Sequence, residues 1–373
     1  MKVGLIVPGG VDRSGTHRVI PCLLWLIERL ARQHELHVFA LFQETHASRY
    51  ELLGSTVHTI DRRSVKRNAL KAVLAEHGRR PFDVIHAFWA GAAGALAALV
   101  GKLVACPVLL HLAGGELVAF PTIDYGGRRT IRGRAIVRFA LWGAARVTAA
   151  CPAMIAQAAK LGVAAERLVL GVDLRRWPPS PPRRRTLGSS ARLIHAASLN
   201  RVKDQSTLLR AMARLRDLDL DFHLDIVGED TLDGEMHRLT ETLSLEEHVK
   251  FHGFLPHTEL RRLLAQADLF VLSSLHEGCG VVTLEAAVAG VPAVGTSVGH
   301  IAAWAPEAAV AVPVGDFDAM AGAVMELLND EDRRLAVARE AQRRAIANDA
   351  DATALRVNGI YQELVTARRR RRP

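Results

Sequence analysis

Two carboxylates, Glu277 and Glu285, flank a glycine-rich turn in the stretch LFVLSSLHEGCGVVTLEAAVAGVPAVGTSVGH, Leu269 to His300. Carboxylates accept hydrogen bonds from hydroxyl groups well, so this pair suits a sugar on one side and a ribose on the other. Leu269 to Ser274 is a short apolar, β-prone run that reads as a buried parallel strand. In the turn that follows, Gly278 and Gly280 permit positive φ and close backbone approach. Val281 to Ala289 then has helical apolar spacing up to a stop at Gly290 and Pro292. A helix starting there points its free N–H groups and positive dipole end beyond the strand, which favours a phosphate held by the amides near Gly278, Cys279 and Gly280. A strand, a glycine turn and an alanine-rich helix also occur in α/β proteins without a ligand, so the surroundings decide.

Those surroundings are two series of alternating elements. Strand-like runs at Val3 to Val7, Leu36 to Phe42, Thr56 to Ile60, Val84 to Ala87, Val108 to Leu112 and Val147 to Ala150 alternate with helical segments. The stretch Arg176 to Ser190, RWPPSPPRRRTLGSS, interrupts this order with prolines and a charge run and reads as a linker or hinge. Strands are then expected near Leu193 to Ala197, Phe222 to Val227, Val249 to Phe251, Leu269 to Leu272, Ala293 to Thr296 and Ala309 to Val312. The reading is α/β, with two Rossmann-like doubly wound domains facing a central cleft. The first covers 1–175 and the second 191–348, joined by a linker at 176–190. A helix is expected at 349–366, and 367–373 form a basic tail.

The stretch around Glu277 resembles the E-x7-E signature of retaining glycosyltransferases of the GT-B fold, the family-4-like group, in the order EG-x-G, LEA, AG-x-P. The resemblance covers most of the chain and is strongest from Ala197 to Val314. It implies transfer of a sugar from a nucleotide diphosphate donor to a hydroxyl acceptor, with the second domain binding the donor, the first the acceptor, and the helix at 349–366 crossing back to the first domain. ASLNRVKD, Ala197 to Asp204, resembles the family's phosphate-binding stretch and places Lys203 at the lysine position, where it would neutralise the leaving diphosphate. Ser198 stands where the family often has arginine, and Arg201 is a substitute. His111, in LLHLAGGE, stands where family members hold a histidine beside the sugar, although a core histidine reads the same way. Gly9 and Gly10, in VPGGVDRSGTHR, match in position a loop against the donor phosphates, while their spacing fails the dinucleotide rule GxGxxG. Phe254 and Leu255 fall where the family makes backbone contacts to the nucleobase, and Ala303 stands where an acidic residue is common. The catalytic assignments are therefore Glu277, His111 and Lys203. The donor contacts are Arg201, Lys203, Leu255, Glu277, Gly278, Cys279, Gly280, Glu285 and Gly10. Neither a metal nor another cofactor is expected, and the acidic run Asp217, Asp219, Asp221 reads as a strand and its approach, not as a metal motif.

Composition bounds the rest. A chain of 373 residues, 49% hydrophobic and 5% aromatic, fits two α/β cores better than an all-β fold. Cys22, Cys106, Cys151 and Cys279 lack metal-ligand spacing and suit a reducing cytosol. No secretory signal is legible at Met1 to Gly10, and Lys102 and Pro107 interrupt the apolar stretch from Ala87 to Leu112, so a cytoplasmic chain is expected. The net charge of +9 is concentrated at Arg368 to Arg372 and Arg183 to Arg185. A further cluster, Arg128, Arg129, Arg132, Arg134 and Arg138, leads into Phe139, Leu141 and Trp142, a basic amphipathic helix suited to an anionic membrane surface. A solvated helix face and a disordered tail are the plainer account of these charges. Nucleic acid is excluded as a partner for want of interleaved aromatics or a known motif. A lipid-linked or membrane-proximal acceptor is the partner these charges favour, at the inner face of the membrane. Two rivals share the architecture: a sugar-nucleotide 2-epimerase, and a non-catalytic GT-B subunit.

Overall fold

The computed structural model describes residues 1–186 and 188–370. The chain divides into two compact units, Met1–Leu170 joined by the chain from Ala350 onward, and Gly171–Asp349.

In the first unit the strands are β1 (Lys2–Val7), β2 (Glu35–Ala40), β3 (Ser48–Leu52), β4 (Ser55–Thr59), β5 (Val84–Phe88), β6 (Val108–Leu112), β7 (Arg146–Ala149) and β8 (Glu166–Arg167). Its helices up to Leu170 are α1 (Pro21–Ala31), α2 (Val65–Arg79), α3 (Ala92–Leu103), α4 (Ile131–Trp142) and α5 (Pro152–Ala159). The sheet order is β3-β4-β2-β1-β5-β6-β7-β8, parallel throughout except for the β3–β4 hairpin. The sequence reading missed β3, whose residues SRYEL carry polar side chains and alternate in burial as an edge strand does. By contrast β5 and β6 are buried along their whole length, as parallel strands covered on both faces must be. The stretch Ala87 to Leu112 resolves into the end of β5, α3 and β6. No helix among the described residues is long and apolar enough to cross a membrane.

In the second unit the strands are β9 (Ala191–Ala196), β10 (Phe222–Val227), β11 (Val249–Gly253), β12 (Leu269–Leu272), β13 (Ala293–Thr296) and β14 (Val310–Val312). The helices are α6 (Gln205–Asp217), α7 (Glu235–Thr242), α8 (His257–Gln266), α9 (Val281–Val288), α10 (Gly299–Trp304), α11 (Phe317–Asn329) and α12 (Glu331–Ala347). All six strands are parallel in the order β11-β10-β9-β12-β13-β14. The order reverses between β9 and β12, which makes the loops after these two strands the switch point where open α/β sheets bind ligands. Aspartates start three of the helices by accepting backbone N–H groups: Asp204 from Thr207, Asp316 from Ala319 and Asp330 from Arg333.

Three expectations change. Residues 176–190 are not a free linker, because the described part of this stretch is packed into the second unit. Trp177 is wholly buried, Ser180 N donates to Val288 O at 3.1 Å, and Arg183 and Arg185 reach Asp268 at 3.0 and 3.4 Å. Arg334, itself buried, donates to Arg183 O at 2.7 Å. The charge run thus finds local partners. Secondly, the final helix α13 spans Ala350–Arg370, so Arg368 to Arg370 are helical and not a tail, while Arg371 and Arg372 lie outside the described residues. It packs on α1 and β5, with Tyr361 Oη 2.7 Å from His86 Nδ1 and Arg29 Nε 2.6 Å from Asp351. Thirdly, Asp217 ends α6 and Asp219 sits in a turn at φ 56°, so the strand starts only at Phe222.

Candidate functional site in the second unit

The site is assembled from the two loops at the switch point of the second sheet. Residues after β9 and after β12 are stitched together by Leu275 N donating to Val202 O at 2.8 Å and Ser273 Oγ donating to Lys203 O at 2.8 Å. Asn200 Oδ1 accepts Lys203 N at 3.2 Å. The consequence is an ion pair, Lys203 Nζ to Glu277 Oε1 at 2.5 Å, to which Ser274 Oγ adds a hydrogen bond at 2.7 Å. Beneath the loops, His195 Nδ1 meets Val271 O at 2.9 Å, its Nε2 lies 3.3 Å from Gln205 Nε2, and Gln205 donates to Ser198 O.

Glu277 is buried, which by itself would raise its pKa, but the Lys203 ammonium and the Ser274 hydroxyl outweigh burial and hold it below the ordinary carboxylate value. Glu285, on α9, has no such cation. Burial pushes it up to about 8, and the nearby His257 Nε2, 3.8 Å away, is itself kept from protonation by burial. The two acids therefore carry opposite protonation at neutral pH, one ionised and one neutral. An ionised carboxylate and a neutral carboxyl donor can each bind polar sugar atoms of different kinds.

Gly280 caps α9 at φ 64°, the left-handed conformation expected there. Gly278 is buried and is not among the residues with positive φ. α9 starts at this turn, where Thr283 N donates to Gly280 O at 2.9 Å, so the positive end of the helix dipole lies beside Gly280. A further glycine shapes the site: a Cβ on Gly299, at φ 53°, would lie 2.7 Å from Glu277 Cβ. Cys279 is buried, its Sγ 3.9 Å from His300 Nε2.

The remaining sequence-derived residues fall elsewhere. Arg201 is half exposed and forked onto Glu235 of α7 by two 2.6 Å hydrogen bonds, so it does not join Lys203 and Glu277 in this structure. Leu255 is half-buried in the turn between β11 and α8. His111 and Gly10 belong to the first unit. Expected beside a sugar, His111 is instead wholly enclosed in β6, with Nδ1 2.9 Å from Thr148 Oγ1, Phe88 packed on its ring and burial lowering its pKa to about 3. Gly10 has φ 85° and donates to Gln43 Oε1 at 2.7 Å, and a Cβ there would strike Ile20 at 2.6 Å. Ser273, Ser274, His195 and Gln205 were missed. The only sequence signal was the pair of hydroxyls following a buried strand.

Among the described residues, one group has metal-ligand spacing, His37, His58 and Glu76 in the first unit. Lys2 Nζ lies 2.7 Å from Glu76 Oε1 there, so a protein cation already answers that carboxylate.

Residues 183–344 match the family described as "Glycosyl transferases group 1", and residues 19–173 match "Glycosyl transferase 4-like domain". A "GDP-mannose-dependent monoacylated alpha-(1-6)-phosphatidylinositol monomannoside mannosyltransferase" of Corynebacterium glutamicum is 32% identical over 188 residues, 46% of this chain and 49% of the relative. The chain spans about half the length of the curated relatives it matches. Among solved structures, the sucrose-phosphate synthase of Thermosynechococcus elongatus superposes with a TM-score of 0.84 at 18% identity, covering 98% of this chain and 100% of the other. Anabaena HepE in complex with UDP-glucose gives 0.77 at 17% identity, covering 97% and 100%. These likenesses establish a shared fold, the GT-B arrangement of two α/β domains.

Proposed function

Because the chain belongs to the glycosyl transferases, with a group 1 region at 183–344 and a 4-like domain at 19–173, we propose that it is a retaining enzyme. It moves a sugar from a nucleoside diphosphate donor to a hydroxyl acceptor. The observation that carries this reading is the contact of Lys203 with Glu277 beside the amino end of α9. There a cation and the amino end of a helix are available to a diphosphate, and an ionised carboxylate is available to sugar hydroxyls. When the diphosphate binds, Lys203 can exchange its carboxylate partner for phosphate. Glu285, protonated and buried, faces the ribose, and no metal is needed.

In this reading the acceptor oxygen approaches the anomeric carbon from the face the diphosphate leaves. The new glycosidic bond forms as the carbon–oxygen bond to phosphate breaks, and the acceptor proton passes to the departing phosphate oxygen. Lys203 acts as charge develops on that oxygen, so its contribution is to the transition state. GDP-mannose, in the name of the corynebacterial relative, and UDP-glucose, in the Anabaena complex, are the first donors to test.

The acceptor is proposed to be membrane-proximal, with the chain on the cytoplasmic face. This is supported by α4, whose solvent face carries Ile131 at 80%, Phe139 at 45% and Trp142 at 61% exposure between Arg132, Arg134 and Arg138. Arg138 lies over the Trp142 ring at 4.0 Å. Exposed apolar residues interleaved with arginines suit an anionic lipid surface.

The test is a thermal-shift and turnover screen of nucleotide sugars, followed by assignment of anomeric configuration in the product by NMR. A donor that stabilises the fold and is transferred with retention supports the proposal. Inversion at the anomeric carbon removes the retaining step, and conversion of UDP-N-acetylglucosamine to its 2-epimer without acceptor would make the chain an epimerase instead.

A further inference from the structure

The first unit contains a cavity of about 390 Å³ lined by Arg18, Gln43, Glu44, Thr45, His46 and Arg62. It lies past the carboxyl end of β2, and Gln43 joins it to the glycine turn after β1 by accepting Gly10 N and Val11 N at 2.7 and 3.0 Å. The loops beyond the carboxyl ends of parallel strands are where such sheets bind ligands.

Two features of this cavity point to an anion. Arg18 and Arg62 are each tethered through one nitrogen to successive carbonyls of the same loop. Arg18 Nη2 donates to Gln43 O, and Arg62 Nη2 donates to Phe42 O at 2.9 Å. Neither guanidinium forms an ion pair among the described residues, and the tether leaves most of the donors on each fork available. Other surface arginines of this chain are paired with carboxylates instead, as Arg80 is with Glu35 and Arg356 with Glu166. The carboxylate that lines the cavity, Glu44, is already committed to Arg13 at 3.0 Å and to Ser48 at 2.6 Å. Its charge is thus answered from outside the Arg18–Arg62 pair. Thr45 and His46, both exposed, add a hydroxyl and a ring nitrogen. Two forked cations, each tethered by one hydrogen bond, with hydroxyl and imidazole neighbours match a phosphate group, and the volume suits a small headgroup.

We infer that this cavity binds a phosphate group carried by the acceptor. Its assignment to an acceptor rests on the glycosyl transfer proposed above, whereas its capacity for phosphate does not.

The experiment titrates the full chain calorimetrically with inorganic phosphate, glycerol 3-phosphate, the deacylated headgroup glycerophosphoglycerol, and glycerol as the uncharged control. At least one phosphate probe should bind saturably, glycerol should not, and Arg18→Gln and Arg62→Gln should each raise its dissociation constant by about tenfold or more. Arg62 lies at the surface, so its variant keeps the test informative if Arg18→Gln, at a residue with φ 52°, folds poorly. Tighter binding of glycerol 3-phosphate would point to a free phosphomonoester, and tighter binding of glycerophosphoglycerol to a lipid headgroup. Either upholds the site. Absence of binding by all three phosphate probes, or Arg62→Gln binding as tightly as the wild type, overturns it. Phosphate binding that depends on the two arginines in a chain that turns over no nucleotide sugar would keep the site and remove the transferase reading. Sugar transfer with no phosphate binding would do the reverse.

Discussion

Lys203 and Glu277 meet at 2.5 Å although 73 residues separate them along the chain, because the loops after β9 and β12 are bonded to each other through Ser273 and Leu275. The pair gives a buried carboxylate a lysine partner and keeps that lysine near the amino end of α9.

Removing the cation leaves the buried Glu277 carboxyl with the Ser274 hydroxyl but no counter-charge, so burial drives it towards the protonated form or leaves a costly buried charge. We expect Lys203→Ala to lower unfolding stability by about 2 kcal/mol, read from the urea midpoint, and to cut kcat/KM for the donor by about a hundredfold or more. Unchanged turnover in a folded variant would take Lys203 out of the reaction.

Glu285 supplies a pH signature of the opposite sign to an ordinary acid. Its folded pKa is near 8 against an ordinary value of 4.5, so between those values the native chain holds a proton that the unfolded chain has released. Its contribution to stability is complete below pH 4.5 and declines as pH rises through 8. Glu285→Gln should therefore gain in melting temperature relative to the wild type as pH is raised from 5 to 8, and an identical difference at both pH values would show that the carboxyl is not held neutral.

His111 acts at the acid end. Burial takes its folded pKa from 6.5 to about 3, so on acidification the unfolded chain takes up the proton first. The wild type should lose stability relative to His111→Leu as pH falls from 6.5 to 4, with the two compared by thermal unfolding across that range. Parallel curves would mean that the ring is protonated in the fold.

Tyr361→Phe removes the one hydrogen bond that reaches His86 Nδ1 from α13, and His86 Nε2 has no partner among the described residues. A loss of about 1–2 kcal/mol is expected, with faster amide exchange along α13.

The membrane reading is checked by vesicle co-sedimentation. Trp142→Ala and Phe139→Ala should each weaken binding to phosphatidylglycerol vesicles by about tenfold without lowering the melting temperature, since both side chains face solvent. Removing residues 368–373 should weaken it further. Binding unaffected by all three changes would leave α4 an ordinary solvated helix.

The local pattern of apolar runs and punctuating glycines and prolines was enough to place β6, β12 and β13 to within a residue or two, because a parallel strand buried on both faces is largely apolar along its length. The spacing of Glu277 and Glu285 about Gly280, and the presence of Lys203 after a strand, were likewise written in the chain. What the chain order could not state is which charge meets which. Arg176 to Arg185 look free in sequence but are bound to Asp173, Asp268 and Glu331, and Arg201 turns to Glu235. Glu277 and Glu285 have the same side chain and the same neighbourhood in sequence, yet one is ionised and the other neutral. That difference comes from Lys203 arriving beside only one of them, and Coulomb energy depends on distance in space, which strand order in the sheet sets and sequence separation does not.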